Sequence, residues 1–342
     1  MIETIKTLCR LSGPSGAEEP VRQYLLQQAR PHADEIRQDA MGNLLVFKRG
    51  RKRPTRTILL AAHMDEVGVI VKSATDDGFL RFAFVGGVDR RVVIGKRVFL
   101  GPERVSAVVG MKPIHLASAG ERKKIPPLEQ LYLDLGADSR AEAERLAAPG
   151  TYGVFDDTLT ELDGDMLSVK ALDDRVGCGV MLSLLQQELP VDTWFAFTVC
   201  EEVGCRGAFG AAFGLRPEIA LILEGTTAAD LPGVAGAKRV CVPGQGPVLP
   251  FMDGGTVYDR GLFEQLRALA EAHGIPWQTK RRIAGGTDAQ AMQRAGSGCR
   301  VAAISAAIRY IHSPVSVGCQ RDFVQMEQLA RLFLEKMEVR HD

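Results

Sequence analysis

Hydrophobic positions along this chain change texture twice. Residues 2–11 have helical spacing. Ser15 followed by Glu18 forms a capping-box pattern, which predicts a second helix over about 17–28 with Leu25 and Leu26 on its apolar face. Residues 43–47 predict a short strand, and the basic cluster Arg49, Arg51, Lys52, Arg53 and Arg56 reads as a solvated hairpin turn. TILLAA at 57–62 is continuously apolar, as a strand buried on both faces requires. From about 67 to 153 the texture is different. Gly, Pro and Asp punctuate β-rich runs at 68–72, 80–84, 97–100, 105–109 and 131–135, with one helix over 140–146, the pattern of a small β-barrel or sandwich. After about 164 helices and strands alternate again. Helices are predicted at 175–187, 258–273, 288–294 and 323–337, and strands at 194–200, 219–223, 275–278 and 300–305, with Gly274 as a C-cap. The fold class is therefore α/β, a helix-layered sheet interrupted by an inserted β-rich domain. The expected division is 1–66 and 160–342 for one domain and 67–159 for the insertion.

Composition narrows the function classes. Apolar residues make up 46% and charged residues 25% of 342 positions, as in ordinary globular chains, and this length sets an expectation of about two domains. Forty-two basic residues balance forty-two acidic ones, which argues against nucleic acid as a partner and against disorder. The seven cysteines contain no CxxC pair and read as small apolar residues in a reducing compartment. No stretch approaches 18 continuous apolar residues, and the N-terminus lacks a signal-peptide pattern. A cytoplasmic protein without a membrane partner is the expectation.

The candidate chemistry falls just after predicted strands, where open α/β sheets build their sites. His63 and Asp65 follow TILLAA, and a carboxylate beside a histidine orients the ring and raises its basicity toward a metal. Asp173 and Asp174 precede a helix, as N-cap residues or as a carboxylate that bridges two cations. Glu201 and Glu202 close the apolar run WFAFTVC, where two carboxylates are costly unless paired or metal-bound; one can then bind metal while the other moves protons. Glu224 ends the run ALIL, and His312 lies in RYIHSP. Together they form an N/O ligand set suited to zinc, cobalt or manganese, with carboxylates able to bridge two ions. HExxH, Walker A, GxGxxG and GxSxG motifs are all missing.

AAHMDEVG at 61–68, KALDDRVG at 170–177, EEVGCRGA at 201–208, GGTDA at 285–289 and RYIHSP at 309–314 resemble the M42 metallo-aminopeptidases, the tetrahedral or glutamyl-aminopeptidase-like enzymes of the di-metal peptidases. The resemblance extends from LSGPSGAEE near the N-terminus to the last helix. GGVDRRVVIGKRV at 86–98 and GMKPIHL at 110–116 echo the family's inserted domain. It implies an α/β/α sandwich with a mixed central sheet plus the inserted barrel-like domain. It implies two divalent metal ions, zinc or cobalt with manganese as the alternative: one on His63, Asp173 and Glu224, the other on Asp173, Glu202 and His312, with Asp173 bridging. Glu201 would be the general base that takes a proton from the attacking water, and Asp65 would orient His63. Gly286, Thr287 and Asp288 would line the substrate pocket, and the Asp173–Asp174 peptide would be cis. Peptide substrates and homo-oligomers are implied, dimers through the insertion and dodecamers beyond. The chain departs from many members in carrying Glu224 where they carry Asp.

That departure keeps open a related amidohydrolase acting on N-acyl substrates. A reading of another class is a non-catalytic assembly or binding protein on the same fold. Lys280, Arg281 and Arg282 before GGTDA read either as a solvated strand edge or as a preference for an acidic N-terminal residue.

Overall fold

The computed structural model describes residues 1–54 and 56–337; Thr55, inside the basic segment, and the end of the expected 160–342 unit lie outside them. Its centre is a nine-stranded mixed sheet. In spatial order the strands are Glu35–Gln38, Leu44–Lys48, Thr193–Thr198, Ile58–His63, Ile219–Thr227, Arg300–Arg309, Ser316–Cys319, Met166–Val169 and Thr160–Leu162. The four from Thr193–Thr198 to Arg300–Arg309 are mutually parallel, and the strands on either side run antiparallel. Ile58–His63 is buried at every position, which explains its unbroken apolar sequence.

The helices are α1 (Ile2–Arg10), α2 (Glu19–Ala29), α3 (Arg140–Leu146), α4 (Leu172–Leu185), α5 (Arg206–Leu215), α6 (Arg260–Ala272), α7 (Asp288–Met292) and α8 (Gln320–Met337). The pleat of the strands sorts these helices onto two faces. Ile58, Leu60, Ala62, Phe195 and Phe197 share one core with apolar residues of α1, α2, α4, α6 and α8. Leu59, Ala61, Ala196, Ala220 and Ile222 face the other way, against alanines of α5 and α7. The result is an α/β/α sandwich. The second face is lined by small side chains, so α5 and α7 pack close to the sheet.

A separate closed barrel is built from Tyr152–Phe155, Gly68–Ala74, Leu80–Val85, Tyr132–Asp134, Val105–Gly110 and Arg97–Leu100. Its core is made of alternate residues such as Val69, Val71, Leu80, Phe82, Val98 and Leu100. Every barrel strand falls between Ile58–His63 and Thr160–Leu162 in sequence, so the barrel interrupts the sheet domain. Among the described residues, no helix is long and apolar enough to cross a membrane.

Several expectations need correction. Ser15 and Glu18 do not form a capping box: α2 begins at Glu19 with no side-chain cap. The Ser15 hydroxyl instead donates to buried Asp65, and the Glu18 carboxylate accepts from the Gly16 and Cys200 N–H groups. A buried charged acceptor competes successfully for the hydroxyl that would have capped a surface helix. The basic segment is not simply a turn, because Gly50–Lys52 pairs in parallel with Leu189–Val191. Residues 275–278 are not a strand. Gln278 makes an isolated bridge with Val248, and its side chain binds Val242 and Gly246. Ile275 gains its burial beneath the helices instead. The strands expected at 219–223 and 300–305 run on to Thr227 and Arg309, and the one expected at 194–200 stops at Thr198. Gly274 does follow α6 with a φ of 65°, as a C-cap requires.

Candidate active site

Three central parallel strands deliver the chemistry. His63 is the last residue of Ile58–His63, Glu224 lies within Ile219–Thr227, and Glu201 and Glu202 occupy the turn after Thr193–Thr198. Asp173 stands at the start of α4, where its backbone departs from helical geometry and its peptide bond to Asp174 is cis. His312 lies between Arg300–Arg309 and Ser316–Cys319. Its φ of 57° is one of several left-handed conformations around the site, with Ala171, Cys200, Cys205 and Tyr310. Such conformations cost about 1–3 kcal/mol each and persist where surrounding structure over-determines them.

The side chains converge on Asp173. His63 Nε2 is 3.5 Å from Asp173 Oδ1 and 3.2 Å from Glu224 Oε1. On the opposite side, His312 Nε2 is 3.5 Å from Asp173 Oδ2 and 3.3 Å from Glu202 Oε2. One carboxylate therefore stands between two imidazoles, each with a second carboxylate of its own. Gly225 makes room for it, because a Cβ there would lie 2.7 Å from Asp173 Oδ1. The barrel closes the far side: a Cβ on Gly86 would lie 3.2 Å from Glu202 Cβ, and one on Gly87 3.6 Å from His312 Nδ1.

Asp65 organises two parts of the site. Its Oδ1 is 3.5 Å from His63 Nδ1, and its carboxylate accepts from the N–H groups of Glu201 (3.0 Å) and Glu202 (3.1 Å) and from Ser15 Oγ (2.6 Å). Burial opposes its charge, but His63, Ser15 and the Glu201 N–H hold its pKa below the ordinary value. Asp174 takes the capping role considered for this pair, accepting from the N–H groups of His63 (3.2 Å) and Gly177 (3.0 Å). Glu201 Oε2 lies 4.0 Å from His63 Nε2, and its Oε1 accepts from the Cys205 thiol.

The electrostatics are those of carboxylates crowded out of water. Burial pushes Glu202 up to about 8 and raises Glu201 and Glu224, against the pull of the histidines. Burial also opposes charge on His63 and His312, but the surrounding carboxylates prevail. His63 stands well above its usual value and His312 at about 9. Asp173 lies below the carboxylate range, because the two imidazoles outweigh its burial.

This donor set fits divalent cations. Asp173 Oδ1, Glu202 Oε2 and Glu224 Oε2 are buried without a hydrogen-bond partner, which is costly unless a cation completes them. Ligands about 2.0–2.1 Å from a tetrahedral ion sit about 3.4 Å apart, close to the 3.2–3.5 Å spacings found here. His63, Asp173 and Glu202, and separately His63, Asp174 and Glu224, bring ligand atoms within 4.8 Å of one another. Of these, Asp174 is already engaged by backbone donors on both oxygens.

The GGTDA segment divides. Asp288 is buried, and its Oδ2 accepts from Thr198 Oγ1; it offers an oxygen within 4.8 Å of ligand atoms on Glu201 and Cys205. Thr287 caps α7 and pairs with the Tyr258 hydroxyl at 3.2 Å, and Gly286 is exposed beside Gln290. Neither makes a polar contact with the histidine–carboxylate cluster among the described residues. Lys280 is tied to its own loop through the Ala284 carbonyl, and Arg281 and Arg282 are exposed. Sequence reasoning missed Ser15, Cys205 and Gln290, and also the buried Lys170–Glu66–Arg175 cluster. Of these, only the charged letters inside the apolar stretches around Glu66 and Lys170 carried a signal.

Comparison with known proteins places nearly the whole chain beside aminopeptidases. Residues 42–329 match the family model for M42 glutamyl aminopeptidases. A putative aminopeptidase of Acetivibrio thermocellus is 36% identical over 324 residues, covering 94% of each chain. The lysyl aminopeptidase of Pyrococcus furiosus is 32% identical, covering 98% of this chain and 97% of its own. Among solved structures, an aminopeptidase from the archaeon Desulfurococcus kamchatkensis superposes with a TM-score of 0.93 at 37% identity, covering 98% of this chain and 94% of its own. The TET1 peptidase of Pyrococcus horikoshii, which can assemble into a tetrahedron or a large octahedral shell, gives 0.85 at 33% identity, covering 96% and 98%.

Proposed function

The chain belongs to the M42 glutamyl aminopeptidase family, and from that premise we propose that it removes N-terminal residues from peptides with Glu201 as general base beside a two-cation centre. The observation that carries this reading is Asp173, whose two oxygens face His63 and His312 on opposite sides. His63, Asp173 and Glu224 would hold one ion and Asp173, Glu202 and His312 the other, zinc or cobalt, with manganese as the alternative. Such ions, when bound, lower the pKa of water and polarise a scissile carbonyl. Glu201 accepts the proton of the attacking water at its carboxylate and passes it to the leaving amine. Burial raises its proton affinity, which suits a group that must both take and release a proton near neutral pH. Asp65 aligns the His63 ring and, through two N–H groups, the Glu201–Glu202 turn. Gly286, Thr287 and Asp288 border the approach of the substrate.

Residues 1–66 and 160–342 are taken as the catalytic unit and 67–159 as an insertion for dimerisation. Ile114, Leu116 and Ile125, exposed between two barrel strands, suit a contact surface. Assembly into a homo-oligomer, as in the tetrahedral relative, follows, and light scattering tests it. All seven cysteines are free, which suits a cytoplasmic setting. The deciding experiment compares amino-acyl anilides bearing a free or an acetylated amine. Cleavage of the free form alone supports the aminopeptidase reading. Preference for the acetylated form favours the deacylase that Glu224 keeps open.

A further inference from the structure

Cys205 enters none of the chemistry above, yet its position is well defined. It precedes α5 with a φ of 52° and is 3% exposed. Its Sγ is 3.3 Å from Glu201 Oε1, and Gln290 Nε2, on α7, donates to that sulfur at 3.2 Å. Asp288, on the same helix, offers an oxygen to the group, and the ligand atoms of Glu201, Cys205 and Asp288 lie within 4.8 Å of one another. A second observation is independent of the sulfur. Asp288 is 1% exposed, and its Oδ1 has no hydrogen-bond partner. A buried oxygen of this kind is costly unless it meets a proton or a cation.

We propose that Glu201, Cys205 and Asp288 form a third divalent-cation site, selective for thiophilic ions such as cadmium or excess zinc, whose filling blocks the general base. The spacing suits such an ion. Sulfur at about 2.3 Å and oxygen at about 2.0–2.1 Å from a tetrahedral centre lie about 3.5 Å apart, close to the Sγ–Oε1 separation. The thiolate makes the site softer than the histidine–carboxylate centre beside it. Cation binding releases the thiol proton to solvent. It also occupies the Glu201 oxygens that would take the proton of the attacking water, so the rate falls as the site fills. This inhibitory role rests on Glu201 being the base.

The test uses full-length protein first loaded with two equivalents of zinc, then titrated with cadmium. Bound metal, the ultraviolet cadmium–thiolate band and anilide hydrolysis are followed together. The parent is expected to take up a third equivalent, develop the band and lose activity. Cys205→Ser and Cys205→Ala are expected to lack the band. Halving their rates, each relative to its own cadmium-free value, should need at least about tenfold more cadmium. Equal uptake, band and inhibition in parent and variants would overturn the site. A third equivalent that binds with its band but leaves hydrolysis unchanged would keep the site and overturn Glu201 as the base.

Discussion

Replacing Glu66 by Gln should destabilise the protein by several kcal/mol without touching any proposed metal ligand. Glu66 is 2% exposed and follows Asp65 directly. Its carboxylate is 2.8 Å from Lys170 Nζ through each oxygen, 3.2 Å from Arg175 Nη2, and accepts from the Gly13 N–H at 3.1 Å. Lys170 also donates to the Leu11 carbonyl, and Arg175 to the Leu8 carbonyl. One anion is thus shared by two buried cations and ties the chain after α1 to the head of α4, where Asp173 stands. Gln keeps the shape but removes the charge, and it turns one acceptor into a donor aimed at an ammonium. Breaking a buried pair in this way costs about 3–5 kcal/mol, a large part of the about 5–15 kcal/mol that holds a typical domain folded. An unfolding entropy of about 2.1 cal/mol/K per residue amounts to about 0.7 kcal/mol per degree over this chain, so the melting temperature should fall by about 4–7 °C. Thermal unfolding followed by circular dichroism measures it. Adding Lys170→Met should recover part of the loss, since it removes one uncompensated charge. A shift below about 1 °C, or a double variant no better than the single one, would refute this reasoning.

Glu201→Gln should keep its bound metal by elemental analysis and lose about 10²–10⁴-fold in turnover; undiminished turnover would rule out the base assignment. Exhaustive chelation should abolish hydrolysis, and added zinc, cobalt or manganese should restore it; full activity in metal-free protein would end the cation mechanism. Gly225→Ala should displace the Asp173 carboxylate, against which the new Cβ would press at 2.7 Å, and should weaken metal retention in dialysis. Asp259 caps α6 and pairs with Arg300, which lowers its pKa to about 2. A depressed carboxylate stabilises the fold above its unfolded value near 3.8, and that contribution disappears as pH falls toward 2. Asp259→Asn keeps the cap but loses the pair. It should be less stable by about 0.5–1 kcal/mol at neutral pH, and its urea midpoint should converge on the parent's as pH falls from 4.

The features legible in the sequence were those that chain-local physics controls. The unbroken apolar run at 57–62 required a strand covered on both faces, and Ile58–His63 is one. The sparse β-runs between 67 and 153 separated the barrel from the sheet, and Arg140–Leu146 was found in full because its helical spacing needs no distant partner. The strands Glu35–Gln38, Met166–Val169 and Ser316–Cys319 were not legible, because each is only 4 residues long and too short to carry a pattern of its own. Met166–Val169 and Ser316–Cys319 moreover pair with each other from distant parts of the chain. Histidines and carboxylates at strand ends were visible as candidates because charge after an apolar run is conspicuous.

What the sequence determined by itself was therefore the alternation of elements, the interruption by a barrel, and the residue types available for chemistry. Only the tertiary structure decided which of them meet. Asp173 stands between His63 and His312, 110 positions ahead of it and 139 behind it in the chain, because parallel strands bring their carboxyl ends to one edge of the sheet. Ser15 gave up a helix cap for Asp65, and Cys205 came to lie against Glu201 and α7, through the same closure. Local spacing encodes helices and strands, whereas the energetics of a buried carboxylate depend on every group that folding brings around it.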